Sequence, residues 1–296
     1  MIPRSYLYVP GDQPDKLAKA AHRGADALIL DLEDAVAPDA KDAGRAAIRA
    51  FLEAGPHAAA PDRAGVRPAG PQLWVRINPG EMGEADVAAV WHPVLTGVMV
   101  AKVESAEDLQ RVDLALSRAE RAADVPHGST AVVPLLESAR AVLTAPVIAA
   151  GPRVVRLQIG EADLASELGL VVPGPGEQVL AAVRSAVVLA TAAANLQPPV
   201  APVSTDFEDL DALRRSTIAL AGMGFLGRAC IHPAQLAVVN EVFTPDPDAV
   251  ARARSLVDRF DAALAAGQGV MVGDDGRMVD EAVVRQARRL LQLAAR

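Results

Sequence analysis

The chain has 296 residues, 51% of them hydrophobic but only 3% aromatic, with a formal net charge of -8. Such a chain is too apolar for a disordered protein and long enough for one large α/β domain with an extension. Its basic residues are scattered among acidic ones, which excludes an electrostatic nucleic-acid footprint, and no run reaches about 18 uninterrupted apolar residues, which excludes a membrane span.

Cys230 is the only cysteine, so an internal disulfide or a cysteine zinc cluster is ruled out and a reducing cytoplasm is expected. Residues Met1–Pro10 carry no apolar core behind a basic patch, so no export leader is expected.

Short apolar runs alternate with amphipathic stretches, the pattern of repeated βα units around a parallel sheet. In chain order the sequence predicts strand Ser5–Val9, helix Pro14–Arg23, strand Ala27–Leu32, helix Asp39–Ala54, and strands Leu73–Ile77 and Gly97–Val103. Helix Ala106–Ala122 follows, then strands Ala131–Leu136 and Val154–Ile159, helix Gly176–Asn195, strand Val200–Val203, helix Asp206–Met223 and strand Arg228–Ile231. Between the second helix and third strand, Gly55–Pro71 is rich in Pro, Gly and Ala and reads as a mobile surface insertion. Beyond the eighth strand come helices near Pro233–Val242 and Asp246–Ala266, a Gly-rich stretch Gly267–Gly276, and a last helix from about Asp280. Eight strands with intervening helices predict a (β/α)8 TIM barrel over residues 1–243, followed by a C-terminal helical extension over 244–296.

In such a barrel the chemistry collects where the strands end. Those ends carry Asp31, Glu33 and Asp34; Arg76 and Asn78; Lys102 and Glu104; Glu137; Glu161 and Asp163; and His232. Glu137 and Asp163 follow consecutive strands, and two carboxylates with sites left for water and substrate oxygens suit Mg²⁺. The alternative is that each acid caps the helix after it. Arg76 offers a guanidinium fork for a substrate carboxylate, or a buried ion pair with Asp31, Glu33 or Asp34. His232, before a proline that opens a helix, is either a general base or, as is commoner, a residue that orients its loop. Lys102 and Glu104 read as network residues, pairing with each other or with the strand-two acids. Cys230 reads as a buried barrel residue, with no base near it in the pattern. Gly11 precedes a helix bearing Lys16 and Lys19, a turn whose amides could receive a phosphate, although the spacing is not that of a P-loop. Gly174–Gln178 reads as a turn before a helix.

Taken together, RSYLYVPGDQPDKLAKA, DLEDAVAPDAKDAGR, VRIN, KVES, PLLES, GEADL and CIHPAQ occur in an order that resembles the citrate lyase beta-subunit-like branch of the HpcH/HpaI aldolase family, over roughly residues 4 to 240. The resemblance implies a (β/α)8 fold, trimers or larger oligomers such as hexamers, and Mg²⁺ held by Glu137 and Asp163. It implies also that Arg76 contacts the carboxylate of a bound keto acid, with Glu33 and Asp34 in the surrounding network. The C-terminal GRMVDEAVV is similar to the lid of malyl- and citramalyl-CoA lyases, in which the aspartate matching Asp280 reaches a neighbouring subunit's pocket as acid or base. Two places depart from the pattern: Ala162 stands where many relatives carry a glutamate before the metal-binding aspartate, and Ala282 replaces a lid proline.

The expected function is therefore Mg²⁺-dependent carbon–carbon cleavage of a malyl-, citramalyl- or citryl-type thioester, with Arg76, Asp280, Glu33 and Asp34 at the reacting centre and Lys16 and Lys19 toward CoA. The rivals are an aldolase acting on pyruvate without CoA, a malyl-CoA thioesterase, and a non-catalytic carrier-binding subunit. The expected partners are a small thioester or keto acid and further copies of the chain, with neither nucleic acid nor membrane.

Overall fold

The computed structural model describes residues 2–55, 70–274 and 276–294. Most of the proposed Gly55–Pro71 insertion lies outside them. Pro3–Asn240 forms one compact unit, and the described chain from Glu241 onward forms most of a second.

In the first unit the strands are β1 (Ser5–Pro10), β2 (Ala27–Asp31), β3 (Gln72–Ile77), β4 (Gly97–Val100), β5 (Ala131–Leu136), β6 (Gln158–Ile159) and β7 (Arg228–Cys230). Around them lie α1 (Pro14–Ala20), α2 (Lys41–Glu53), α3 (Gly80–Val90), α4 (Ala106–Ala122), α5 (Ala139–Leu143), α6 (Ala145–Ala149), α7 (Glu161–Glu167), α8 (Glu177–Ala193) and α9 (Leu210–Gly222). All neighbouring strand pairs are parallel, in the order β6-β5-β4-β3-β2-β1-β7. Val200 bridges to Gln158 on one side and Ala201 to Arg228 on the other, both parallel, so the Val200–Ala201 segment is the stave that closes the ring. The predicted eight-stave barrel is present, with its sixth and seventh staves shorter than their apolar runs suggested. Pro198, Pro199 and Pro202 flank the seventh stave and have no N–H for a ladder, which limits its pairing.

The strands are buried on both sides, as a parallel sheet under helices requires. Tyr6, Ala27, Ile29, Trp74, Met99, Val133, Leu135, Val200 and Ala229 pack together as a single buried cluster contributed by seven of the eight staves. Below the mouth sits Arg156, 1% exposed, whose Nη1 donates to the Tyr6 hydroxyl at 2.6 Å and Nε to the Pro198 carbonyl at 2.9 Å. Outside the ring, α2 turns Ile48 and Leu52 inward, both fully buried, while Asp42 and Glu53 are exposed; Lys41, at its start, is buried and donates to the Leu32 and Glu33 carbonyls. The N-terminus of α4 is fixed by a capping box, Ser105 accepting from the Asp108 amide and Asp108 accepting from the Ser105 amide.

Helix α10 (Leu236–Val242) carries the chain into the second unit: α11 (Pro247–Ala265), a hairpin of β8 (Met271–Val272) and β9 (Met278–Val279), and α12 (Glu281–Ala294). Phe260, Val279 and Val284 are its buried core. The Gly-rich stretch Gly267–Gly276 thus contains one short strand, β8, which pairs antiparallel with β9 just beyond it. No helix among the described residues is long and apolar enough to cross a membrane.

Gly97 shows how tightly the barrel is drawn. A Cβ there would stand 2.3 Å from the Ala131 carbonyl and 2.5 Å from Trp74 Cζ3, so β4 would have to move away from β5. We expect Gly97→Ala to destabilise the protein by about 1–3 kcal/mol, seen as a lower midpoint in denaturant unfolding with an unchanged slope.

Candidate active site

At the strand C-termini the barrel opens into a cavity of about 390 Å³ whose lining includes Tyr8, Asp31, Asp34, Arg76, Glu137, Gln158, Glu161 and Asp163. Two sets of charged groups meet there.

The first set is built by register. β2 and β3 align Asp31 directly across from Arg76. Arg76 Nε and Nη2 donate to the two oxygens of Asp31, each at 2.6 Å, and Nη1 lies 2.9 Å from Glu33 Oε2. The guanidinium carbon sits 4.9 Å from the Tyr8 ring centroid, a cation–π contact. Burial works against the Arg76 charge, but the hydrogen bonds to Asp31 and the charges of Asp31 and Glu33 outweigh it and hold the cation well above its ordinary value. The ion-pair reading of Arg76 is therefore realised, and the same residue stands on the cavity wall. Three of its five N–H groups are engaged, which leaves two for a bound carboxylate. Glu33, 3% exposed, also accepts from Lys102 Nζ and from the Asp34 amide at 2.8 Å. Lys102 Nζ reaches Asp34 at 3.3 Å. Glu33 thus holds the network together, while Asp34 stands on the cavity wall.

The second set centres on Glu137. Leu136 pairs with Ile159 across β5 and β6, so Glu137 and Gly160 leave the sheet side by side. A Cβ on Gly160 would stand 2.4 Å from Glu137 Cγ and 2.7 Å from Oε1; the missing side chain is what makes room for the carboxylate. Its Oε2 accepts the backbone N–H of Lys102 at 2.8 Å. Lys102 aims that N–H from a left-handed conformation, φ 53°, uncommon for a residue with a side chain. Desolvation, joined by the charges of Glu33 and Asp163, raises the Glu137 pKa from 4.5 to about 7. A buried carboxylate facing other carboxylates is a place where a cation is favoured. Ser138, not Glu137, caps α5, accepting from the Ala141 amide at 3.1 Å, so the capping alternative fails for Glu137. For Asp163 it survives in part, because Asp163 lies in the first turn of α7. No third Asp, Glu, His or Cys joins these two acids in a metal-binding group among the described residues. Two oxygen donors with the remaining positions open suit a hard cation that keeps water and takes substrate oxygens, and do not suit a closed zinc site.

Residues 4–233, the whole barrel, match the HpcH/HpaI aldolase/citrate lyase family. The chain belongs to that family. It is 35% identical over 98% of its length to a (3S)-malyl-CoA thioesterase of Cereibacter sphaeroides, 94% of which is covered. It is 32% identical, with the same coverage of both chains, to an L-malyl-CoA/beta-methylmalyl-CoA lyase of that organism. Among solved structures it resembles the protein CitE of Mycobacterium tuberculosis in complex with magnesium, acetoacetate and coenzyme A, with TM-score 0.72, 31% identity, and 99% and 98% of the two chains covered.

Within this HpcH/HpaI family barrel the other residues singled out in the sequence fall as follows. His232 caps the turn at Pro233, its Nδ1 accepting from the Ala234 amide at 3.2 Å while its ring stacks on Phe207 at 4.8 Å; it orients a loop and is not on the cavity wall. Cys230 is fully buried and burial pushes its thiol up to about 12, so it is inert. Glu161 is held by Arg184 in two hydrogen bonds of 2.6 and 2.7 Å, which removes it from the candidate ligands. Lys102 pairs with the strand-two acids, whereas the side chain of Glu104 makes no ion pair among the described residues. Lys16 and Lys19 are exposed on α1 and do not line the cavity. The phosphate-receiving reading of the Gly11 turn is corrected: its N–H donates to the Asp31 carbonyl at 2.8 Å, and a Cβ there would stand 2.6 Å from that same oxygen. The glycine serves the close approach of β1 to β2. In the second unit, Asp280 Oδ1 accepts from the amides of Ala282 and Val283 at 3.0 and 3.1 Å and so starts α12. Tyr8 and Gln158, both on the cavity wall, were missed. The signal was there: both are polar residues inside apolar strand runs, two positions on from Tyr6 and Arg156, which also meet inside the barrel.

A carboxyl with a raised value binds its proton more tightly in the folded state than in the unfolded chain, so its ionisation weakens the fold. In metal-free protein, the contribution of Glu137 is present below pH 4.5 and lost as pH rises through about 7. We expect added Mg²⁺ to raise the melting temperature at pH 8 and to have little effect at pH 5, measured by thermal unfolding with and without the metal. An equal rise at both values would contradict the role given to Glu137.

Proposed function

We propose that this chain is a Mg²⁺-dependent carbon–carbon lyase that splits a β-hydroxyacyl-CoA thioester of the malyl, citramalyl or citryl type into a keto acid and acetyl-CoA, or joins them in reverse. The observation that carries the proposal is a single cavity lined by the buried, proton-hungry Glu137, by Asp163 and by an Arg76 with two N–H groups to spare. A 2-hydroxycarboxylate offers the complementary atoms, a hydroxyl and an adjacent carboxylate. The relatives named for malyl-CoA chemistry and the CitE complex with magnesium and coenzyme A support the same substrate class.

Glu137 and Asp163 would hold the cation; when bound, Mg²⁺ supplies a lowered hydroxyl pKa and offsets charge on the oxygen as the bond breaks. Arg76, locked against Asp31, is oriented before substrate arrives and holds the carboxylate without reorganising. The apolar part of the wall, with Leu135, Ile159, Val203 and Ile231, limits the water around the acyl chain. As the hydroxyl proton passes to water, the O–H electrons form the keto carbonyl and the carbon–carbon electrons move to the thioester as an enolate, and a proton must then reach the carbon that becomes the acetyl methyl. We assign that proton to Asp280, acting in a neighbouring copy within a homo-oligomer, with Lys16 and Lys19 toward the CoA phosphates.

One second reading has an observation behind it, since the relative at 35% identity is named a thioesterase. If Asp280 activates water instead, the thioester is hydrolysed and CoA is released.

The purified protein, mixed with malyl-, citramalyl- and citryl-CoA, is expected to release a keto acid from at least one of them with Mg²⁺ and from none after chelation. Free thiol formed without keto acid would establish the thioesterase reading, and no reaction on any of the three would overturn both. Asp163→Asn and Arg76→Met are each expected to lower kcat/KM by at least about 100-fold, because each removes charge stabilisation at the reacting centre.

A further inference from the structure

One polar side chain on the cavity wall, Gln158, takes no part in either charged set. Gln158 on β6 and Tyr8 on β1 meet across the barrel, where Gln158 Nε2 donates to the Tyr8 hydroxyl at 3.2 Å. Gln158 is 2% exposed. Its Oε1 is buried and has no hydrogen-bond partner among the described residues. Buried side-chain oxygens are rarely left this way, because a carbonyl taken out of water without a donor raises the free energy of the fold. Of the three such oxygens among the described residues, this one belongs to a residue of the cavity wall.

The surroundings keep it so. Tyr8 is half-buried, and desolvation of its phenol holds it well above its ordinary value, so it remains neutral and serves as the acceptor that fixes the carboxamide. Beneath, the comparable pair of Arg156 and Tyr6 is complete: Arg156 donates to Tyr6, to Pro198 and to the Leu226 carbonyl. Of the donors around the mouth, Arg184 is engaged with Glu161 and Lys102 with Glu33 and Asp34, and the two free N–H groups of Arg76 are those assigned above to a bound carboxylate. An unmatched acceptor on a residue that lines a substrate cavity calls for a donor on the ligand. Near the reacting carbon, a 2-hydroxycarboxylate has one such donor, its hydroxyl, whereas the corresponding keto acid has none.

We propose that Gln158 is a specificity-determining residue whose Oε1 accepts a hydrogen bond from the hydroxyl of a bound 2-hydroxycarboxylate, with Tyr8 as the residue that positions its carboxamide. The site thereby distinguishes the hydroxy form of its ligand from the keto form. The amide takes no proton, so its part is selection and orientation. This inference rests on the reading of the cavity as a hydroxyacyl site, and it is separable from that reading because it concerns which of two small acids binds better.

The test uses L-lactate and pyruvate, equal in charge and nearly equal in size, differing in whether the central oxygen carries a proton. Their affinities for the full-length protein are measured by calorimetry with saturating Mg²⁺, for the wild type, for Gln158→Met, a near match in volume, and for Tyr8→Phe. We expect Gln158→Met to weaken lactate roughly five- to tenfold and pyruvate by less than about twofold, the size of one net hydrogen bond. Tyr8→Phe is expected to move lactate in the same direction by a smaller factor. The Mg²⁺ affinity of each variant, taken in the same instrument, shows that the barrel is intact. Equal weakening of both acids by Gln158→Met, or weakening of pyruvate alone, would overturn the inference while leaving the lyase reading standing. Failure of the wild type to bind either acid with Mg²⁺ present would overturn both.

Discussion

A carboxylate taken out of water and set beside others of its own sign is unstable unless a cation joins it, and Glu137 is in that position. It is 5% exposed, with Glu33 and Asp163 both acting to keep it protonated. The neighbouring residues read as devices for holding this one group where it is. Lys102 directs an N–H at it from a left-handed backbone, and Gly160 withdraws its own side chain from the space the carboxylate fills. The strain is stored where the chemistry is, as is common in sites built to be occupied.

Lys102 also ties that carboxylate to the second half of the site. Its ammonium grips Glu33 and Asp34, and Glu33 in turn holds Arg76, which is clamped to Asp31 across one rung of the sheet. The guanidinium and the carboxylates are thus fixed relative to each other by main-chain register and one lysine, not by long flexible side chains. Arg76 is buried deeply enough to be oriented, yet retains two N–H groups for a ligand. An arginine with all its donors engaged would be purely structural; an unpaired one would be costly to bury. Gln158 follows a similar logic in neutral form, one end of its carboxamide fixed by Tyr8 and the other left unmatched.

Much of this was legible in the residue order. The apolar runs marked the staves, and since barrel strands end at one rim, Asp31, Arg76, Glu137 and Asp163 could be placed near one another before any coordinates. Helix α4 begins and ends where its capping serine and apolar spacing put it. Other parts were obscured for physical reasons. Helix α3 opens with Gly80 and contains Gly83, poor helix formers, and its apolar residues make only a weak stripe, so its sequence does not announce a helix. The seventh stave is hemmed by prolines and pairs through single bridges. The hairpin of the second unit has two residues on each strand, too few for an alternation to be seen. Gln158 and Tyr8 sat inside predicted strands, where their polarity stood out but the alternation alone does not say which face of a strand looks into a cavity. Nor could one strand end show that Gly11 faces a carbonyl and not a phosphate: that depended on how closely β1 and β2 approach.

The central claim is that Glu137 and Asp163 share one hard cation within reach of Arg76. A crystal structure of the protein with Mg²⁺ and pyruvate tests it most directly. The account predicts one Mg²⁺ with a single oxygen from each of the two acids, its other positions filled by water and pyruvate, and the pyruvate carboxylate hydrogen-bonded to Arg76. A metal bound without either acid, or a keto acid held away from that arginine, would contradict it.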